Sequence, residues 1–376
     1  LEDRDMTGCK VVVAGHICLD LTPKFPDSGA ASLSDLLRPG SLVMVGECVV
    51  STGGPVANTG LALVKLGVDC VLMGKVGEDA FGRAVVEKLS EYDAAEGIIR
   101  VPEEQTAYTI VIAPPGIDRA FLHNPGANDS FCRDDIDFPT VKTCDLFHLG
   151  YPPLLRRLYE NGGEELAAIY RSAKARGATT SLDMALPDPG SPCGQVDWAA
   201  ILRETLPAVD LFLPSVEEVL YCLDRDRFMR LRGEEGGVLA RLDRGDYARL
   251  SDELLSWGVG AVVLKAGHHG VYARTAGRER LADFGRARAS DPDSWADREV
   301  WQPAFPVDEV VSATGAGDCA IAGFLAAFLR GETVERAVRY AAAAGAQNVM
   351  AHDAISGLRS YEGLTKMVDD ALGEQP

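Results

Sequence analysis

Positive charge is what this sequence has too little of: 37 Lys and Arg stand against 56 Asp and Glu, leaving a net charge of −19. That balance opposes binding to a polyanion, so nucleic acid and anionic membrane are not expected partners, and it suits a protein that handles small molecules. Long apolar runs are also lacking. No stretch approaches the roughly 18 residues of a membrane-spanning helix, and the opening LEDRDMTGCK is too charged for a signal-peptide apolar region. The leading leucine suggests a trimmed end. Cysteine is present but unorganised: Cys9, Cys18, Cys48, Cys70, Cys132, Cys144, Cys193, Cys222 and Cys319 form no C-x-x-C pair and no Cys/His cluster at metal-ligand spacing. Reduced thiols, mostly core filler, in a cytoplasmic protein are the expectation. Also missing is any G-x-x-x-x-G-K-[ST], which excludes a Walker-type phosphate loop.

What is there begins with bulk. The 376 residues, 47% hydrophobic and 25% charged, can bury a large core, and one large domain spanning 1–376 with a smaller inserted element is expected. Short β-branched runs at 10–20, 71–77, 145–150, 179–184, 210–215 and 261–267 alternate with helix-like segments, which predicts an α/β architecture with a mostly parallel sheet. In VANTGLALVKLG, Ala57, Leu61 and Val64 share a helical face and Gly67 is placed to cap the end. Two regions break the rhythm, 41–54 and 106–123, the latter holding two strand-like runs around Pro-Pro-Gly. They predict a small β-lid, with its elements at about 21–52 and 106–123. The stretches 223–250 and 286–299, rich in charge and turn formers, read as insertions or loops.

The chemistry concentrates at 312–324, SATGAGDCAIAGF. A strand-like VDEVV (307–311) leads into Thr314, Gly315, Ala316 and Gly317, and an apolar helix follows to Gly331. Free N–H groups and the helix dipole at such a junction make an anion site, yet Asp318 stands in the first helical turn beside it. A dinucleotide fingerprint, G-x-G-x-x-A over Gly315, Gly317 and Ala320, comes late in the chain, and Asp318 would oppose a resting pyrophosphate. The carboxylate has a use if the hole holds a phosphoryl group only in transit while Asp318 accepts the proton of the attacking hydroxyl. A tight turn with a helix-start charge is the bland alternative.

ATGAGD and, some 260 residues earlier, STGGPVANTGLALVKLG (51–67) resemble the two signatures of the ribokinase-like, or PfkB, carbohydrate kinases. Further pieces in the expected order are GHICLD (15–20), GKVGEDAFG (74–82), PGAN (125–128), PSVEE (214–218) and KAGHHG (265–270), so the resemblance runs from about residue 10 to about 357. It implies a three-layer α/β/α core with a small sheet as lid, ATP and Mg²⁺ as cofactors, and a sugar-like substrate. It also admits a homodimer through the lid.

By resemblance, Asp20 accepts hydrogen bonds from substrate hydroxyls, Gly53 and Gly54 let the substrate lie against backbone, and Asn58 offers donor and acceptor to the sugar. Gly74, Gly77, Asp79 and Gly82 match as well and are assigned mainly to the fold. On the nucleotide side, Glu218 helps organise hydrated Mg²⁺, while Lys265, Gly267 and Gly270 underlie the nucleotide. Three departures stand out. Ser215 replaces the asparagine of Asn-x-x-Glu. Ser312 replaces an aspartate of a monovalent-cation site, which puts potassium activation in doubt. Pro55 follows the paired glycines. The expectation is an ATP- and Mg²⁺-dependent kinase with Asp318 as base and the N–H groups of Gly315, Ala316 and Gly317 as anion hole. The alternatives are a nucleoside kinase with Tyr108 and Phe121 as the base-binding floor, and a catalytically silent sugar sensor. No phosphate clamp is obvious, which argues against a sugar-phosphate acceptor unless Arg119 and His123 supply one.

Overall fold

The first apolar run does not stay in one sheet. In the computed structural model, which describes residues 10–373 except 28, 30 and 118, strand β1 (Lys10–Gly15) ends at a glycine with φ 122°, and the chain turns into β2 (Cys18–Pro23) of a second sheet. Cys9 and the charged start of the chain lie outside the described residues. A second split follows: the run at 71–77 divides between β4 and β5. The remaining strands are β3 (Cys48–Gly53), β4 (Asp69–Met73), β5 (Lys75–Gly77), β6 (Ile99–Val101), β7 (Tyr108–Ile112), β8 (Ala120–Asn124), β9 (Leu146–Gly150), β10 (Thr179–Leu182), β11 (Leu211–Phe212), β12 (Ala261–Lys265), β13 (Val271–Thr275) and β14 (Glu299–Gln302).

Eight of them make the main sheet, ordered β14-β13-β12-β11-β10-β9-β1-β4, parallel from β4 through β12 and antiparallel at β13 and β14. Alternation along β1 explains the layering. Val11 and Val13 join one apolar core and Val12 and Ala14 another, all fully buried, because successive side chains leave a strand on opposite faces. The first core is covered by helices α1 (Pro55–Lys65), α2 (Ala80–Ser90), α8 (Ala316–Leu329), α9 (Val334–Asn348) and α10 (Tyr361–Gly373). The second lies under α3 (Glu164–Ala175), α4 (Trp198–Thr205), α5 (Val216–Leu223), α6 (Arg225–Arg232) and α7 (Arg244–Ser256). Helices thus cover both faces of the sheet, in the expected three-layer α/β/α arrangement.

A separate four-stranded sheet, β3-β2-β7-β8, carries both segments expected of a lid, and β5 pairs with β6 in a third, two-stranded sheet. Only the second half of 41–54 is strand; Leu42 and Met44 before it are 86% and 72% exposed and unpaired in any ladder. Two expectations are corrected. The stretch 223–250 holds α6 and the start of α7, each begun by an aspartate whose side chain caps the first turn, Asp224 and Asp243, and the buried Phe228 and Tyr247 tie it to the second core. And VDEVV is no strand: Val310 is exposed, and the N–H groups of Val311 and Ser312 both reach the Val349 carbonyl, at 2.8 and 3.1 Å. The signature turn hangs from the end of α9 rather than from the sheet.

Candidate active site

The carboxyl ends of the parallel strands converge on the start of α8. His16 follows β1, Tyr151 follows β9, Asp183 follows β10, Ser215 lies just beyond β11, and Lys265 closes β12. Side chains at that edge of an open α/β sheet face the crevice where such folds take ligands.

Helix α8 starts on Gly315, whose φ of 73° and ψ of −4° are left-handed. A Cβ there would also lie 2.4 Å from Ala354 Cα, so no other residue fits. Ser312 Oγ accepts from Thr314 N at 3.1 Å and Asn348 Nδ2 donates to the Thr314 carbonyl at 2.9 Å, which fixes the turn from both sides. The first full helical rung is Cys319 N to Gly315 O, 2.8 Å, so the N–H groups ahead of it crown the helix start. Of the three expected in the anion hole, that of Ala316 already reaches the Ala313 carbonyl at 3.4 Å.

Asp318 is 3% exposed. Its Oδ2 accepts from Asn58 Nδ2 at 3.0 Å, its Oδ1 from Thr59 Oγ1 at 3.1 Å, and the Tyr151 hydroxyl donates to both, at 3.2 Å to Oδ1 and 3.1 Å to Oδ2. Burial pushes its pKa up, against the pull of these donors and of the Lys265 ammonium. Asn58 and Thr59 sit in the first turns of α1, which begins on Gly54 with Pro55 at its first position. The acceptor-side helix and the signature helix are thus joined through one carboxylate.

Lys265 Nζ donates to Asp183 Oδ1 at 2.6 Å, and it lies 3.9 Å from where a Cβ on Gly317 would stand. The Lys265 side chain thus runs alongside Gly317 at the start of α8, at ordinary contact distance. Lys265 keeps its proton: burial acts against it, but Asp183, Glu218 and Asp318 together outweigh burial. Asp183 is fully buried with Oδ2 unpartnered, and burial is the chief cause of its raised pKa. Ser215 and Glu218 make a capping box at the start of α5, Ser215 N to Glu218 Oε2 at 2.6 Å and Glu218 N to Ser215 Oγ at 3.2 Å, and Ser215 bridges to Lys265 in the sheet. No group of three or more His, Cys, Asp or Glu among the described residues is placed to hold a metal by itself.

The other expected positions have local reasons. A Cβ on Gly53 would lie 2.3 Å from Asp20 Oδ2, so Gly53 makes room for that carboxylate, which burial pushes up in pKa. Gly54, at φ 86°, has His16 Nδ1 2.5 Å from its would-be Cβ. Gly270, at φ 103°, is required by the backbone of 302–304, and Gly267 adopts φ 53° in the turn between β12 and β13. From the small sheet, Arg119 Nη1 donates to Thr314 Oγ1 at 3.0 Å, and the His123 ring lies 5.3 Å from that of His16. Tyr108 packs edge-on against Phe81 and Phe121 is 54% exposed, so the two form no common floor. A cavity of about 1050 Å³ opens beside the edge strand β4, lined by Asp69, Asp93, Arg133 and Asp134 among others, and no candidate residue faces it.

Sequence reasoning missed Thr59, Tyr151 and Asp183. A readable clue existed for two of them: a polar residue closing an apolar strand, in DLFHLGY and in TTSLD, is where this sheet presents its chemistry.

The pfkB family carbohydrate kinase model matches residues 10–360. An ATP-dependent ribose-1-phosphate kinase of Halopiger xanaduensis is 29% identical over 342 residues, which cover 90% of this chain and 90% of that protein. Among solved structures, an Arabidopsis thaliana ribokinase complexed with ribose and ATP is similar with TM-score 0.69 and 20% identity, covering 96% of this chain and 99% of that one. A Xylella fastidiosa fructokinase with bound ATP gives TM-score 0.69 and 19% identity, with coverages of 96% and 99%.

Proposed function

The chain belongs to the pfkB family of carbohydrate kinases and is an ATP-dependent kinase; on that premise we propose that it moves the γ-phosphoryl group of ATP to a hydroxyl of a sugar or sugar-like molecule, with Asp318 as general base. The observation that carries this is the position of Asp318: a buried carboxylate in the first turn of a helix, held by two side chains of α1 and facing a lysine across a bare glycine. The attacking hydroxyl gives its proton to Asp318 as its oxygen bonds to the γ-phosphorus and the bond to ADP breaks. The exposed N–H groups at the start of α8 and the Lys265 ammonium face the charge on the phosphoryl oxygens in transit. Asp20 and the backbone at Gly54 hold the acceptor. Mg²⁺ keeps several waters and takes its remaining contacts from phosphates, so Glu218 would serve as one carboxylate that holds it through water. Residues 1–376 are read as one domain, with the small sheet as the lid that excludes water when it closes.

A second reading of the acceptor has its own support. Arg119 spans from the small sheet to Thr314, and one relative is named for ribose 1-phosphate; an acceptor that already carries a phosphate fits that guanidinium. A nucleoside acceptor is disfavoured, because Tyr108 is committed to Phe81.

The test is ADP release with Mg²⁺-ATP against neutral sugars, sugar acids, sugar phosphates and nucleosides, run with Asp318→Asn. A hit is expected that falls by about 10²–10⁴ in a variant that keeps its fold by circular dichroism. Equal turnover in both proteins rejects Asp318 as base. Arg119→Ala should raise KM for phosphorylated acceptors and leave neutral ones unaffected.

A further inference from the structure

Tyr151 has the least comfortable backbone at the site. It stands at φ 61°, ψ 47°, a left-handed conformation that costs a bulky residue on the order of 1–3 kcal/mol, and it is followed by two prolines that limit how the chain could relax. The turn begins where Gly150 passes α1 so closely that a Cβ would lie 2.4 Å from Pro55 Cβ. The result of that strain is one contact. The phenol reaches Asp318 and bridges both carboxylate oxygens, at 3.2 and 3.1 Å.

With Asn58 on Oδ2, Thr59 on Oδ1 and the single phenol proton shared between the two oxygens, the phenol takes the side of the carboxylate that the two α1 donors leave open. An acceptor hydroxyl that is to lose its proton to Asp318 needs one of those places. Asn58 and Thr59 are buried in α1, 6% and 0% exposed, and cannot leave without moving the helix. Tyr151 is only half-buried and stands on a turn after a strand end, so a swing of its side chain, with the backbone fixed, frees the carboxylate.

We propose that Tyr151 is a placeholder for the acceptor: its hydroxyl occupies the seat of the reactive hydroxyl on Asp318 and keeps water out of it until a substrate hydroxyl displaces it. The inference rests on the kinase reading. What Tyr151 suppresses is the wasteful step in which a water O–H gives its proton to Asp318, the water oxygen bonds to the γ-phosphorus, and the bond to ADP breaks. Tyr151 is thus a positioning residue whose loss uncouples ATP consumption from the acceptor. Its hydrogen bond also lowers the Asp318 pKa. The other charged or titratable groups facing that carboxyl are Lys265 from β12, Asp20 from β2, Asp183 after β10 and Cys319 beside it on α8.

Tyr151→Phe in the full chain tests this, with wild type and Asp318→Asn alongside. Acceptor-free ADP release from Mg²⁺-ATP should rise on the order of tenfold in Tyr151→Phe and vanish again in the double variant with Asp318→Asn. Titration of the Asp318 carboxyl by carbon-13 NMR, without nucleotide, should move up in Tyr151→Phe. Unchanged or lower acceptor-free release, with sugar phosphorylation intact in wild type, overturns the placeholder and leaves the kinase standing. A carboxyl titration that does not move overturns it too. If wild type shows no acceptor-dependent release with any acceptor, the kinase reading itself falls, and the placeholder with it.

Discussion

Lys265 shows how one side chain can be both chemistry and structure. Its ammonium offsets the charge of a pocket that otherwise holds Asp183, Glu218 and Asp318, and in the proposed mechanism it faces the phosphoryl group near the helix start. Lys265→Met should therefore slow transfer and also destabilise the protein, because the buried Asp183 carboxyl loses its partner. Adding Asp183→Asn should restore most of that stability but not the rate, as read by urea unfolding and turnover. A double variant no more stable than Lys265→Met would show that the pair is not coupled. The raised pKa of Asp318 sets a pH limit as well. If Asp318 is the base, as proposed, it works only when ionised, so kcat should fall with decreasing pH along a limb lying above the ordinary carboxylate range, and that limb should be absent from the residual activity of Asp318→Asn.

At the scale of elements, the contact between the end of β9 and the start of α1 decides whether Asn58 and Thr59 reach Asp318. Gly150→Ala would place a methyl 2.4 Å from Pro55 Cβ. Moving α1 to make room is expected to cost about 1–3 kcal/mol in melting or denaturant experiments, with a larger relative loss in kcat/KM than in stability, because both Asp318 partners move together. Equal losses would mean the helix is not the route. These elements were unevenly legible. The apolar strand runs and the capping glycines Gly67 and Gly331, both at positive φ, could be read from spacing. The breaks within 10–20 and 71–77 could not, because a continuous apolar run does not record that its second half pairs in another sheet. The charge-rich 223–250 hid two helices, since much of its sequence faces solvent and its inward-facing residues, among them Phe228, Leu231, Tyr247 and Leu250, are spaced out between charges.

For the molecule as a whole, buried titratable groups define a stability profile. Asp183 is pushed up to about 8, first by burial. A folded pKa above the unfolded one means the contribution is full at low pH and is lost as pH rises through the folded value. The buried thiols of Cys18, Cys144 and Cys222, also raised, act in the same direction above the ordinary thiol value. His16, His123 and His148 are pushed down, chiefly by burial, so their contribution is lost as pH falls below about 6.5. The melting temperature of the ligand-free protein should thus decline from about pH 6.5, above which the histidines no longer offset the loss at Asp183, to about pH 8, and again above the ordinary thiol value. Asp183→Asn should flatten the first part of that decline; an identical slope would refute the assignment.

What the sequence determined by itself was the class and the signature: alternating strand and helix patterns, a glycine turn ahead of Asp318, and an ordered series of motifs from residue 10 onward. These are local, set by spacing and by which residues tolerate a left-handed turn. Only the tertiary structure decided what meets Asp318. Thr59 lies 259 residues away, Tyr151 lies 167 away, and Lys265 and Asp183 come from separate strands 82 residues apart. Their meeting depends on strand order, which no local pattern encodes, because it follows from how eight strands and two apolar cores close against one another.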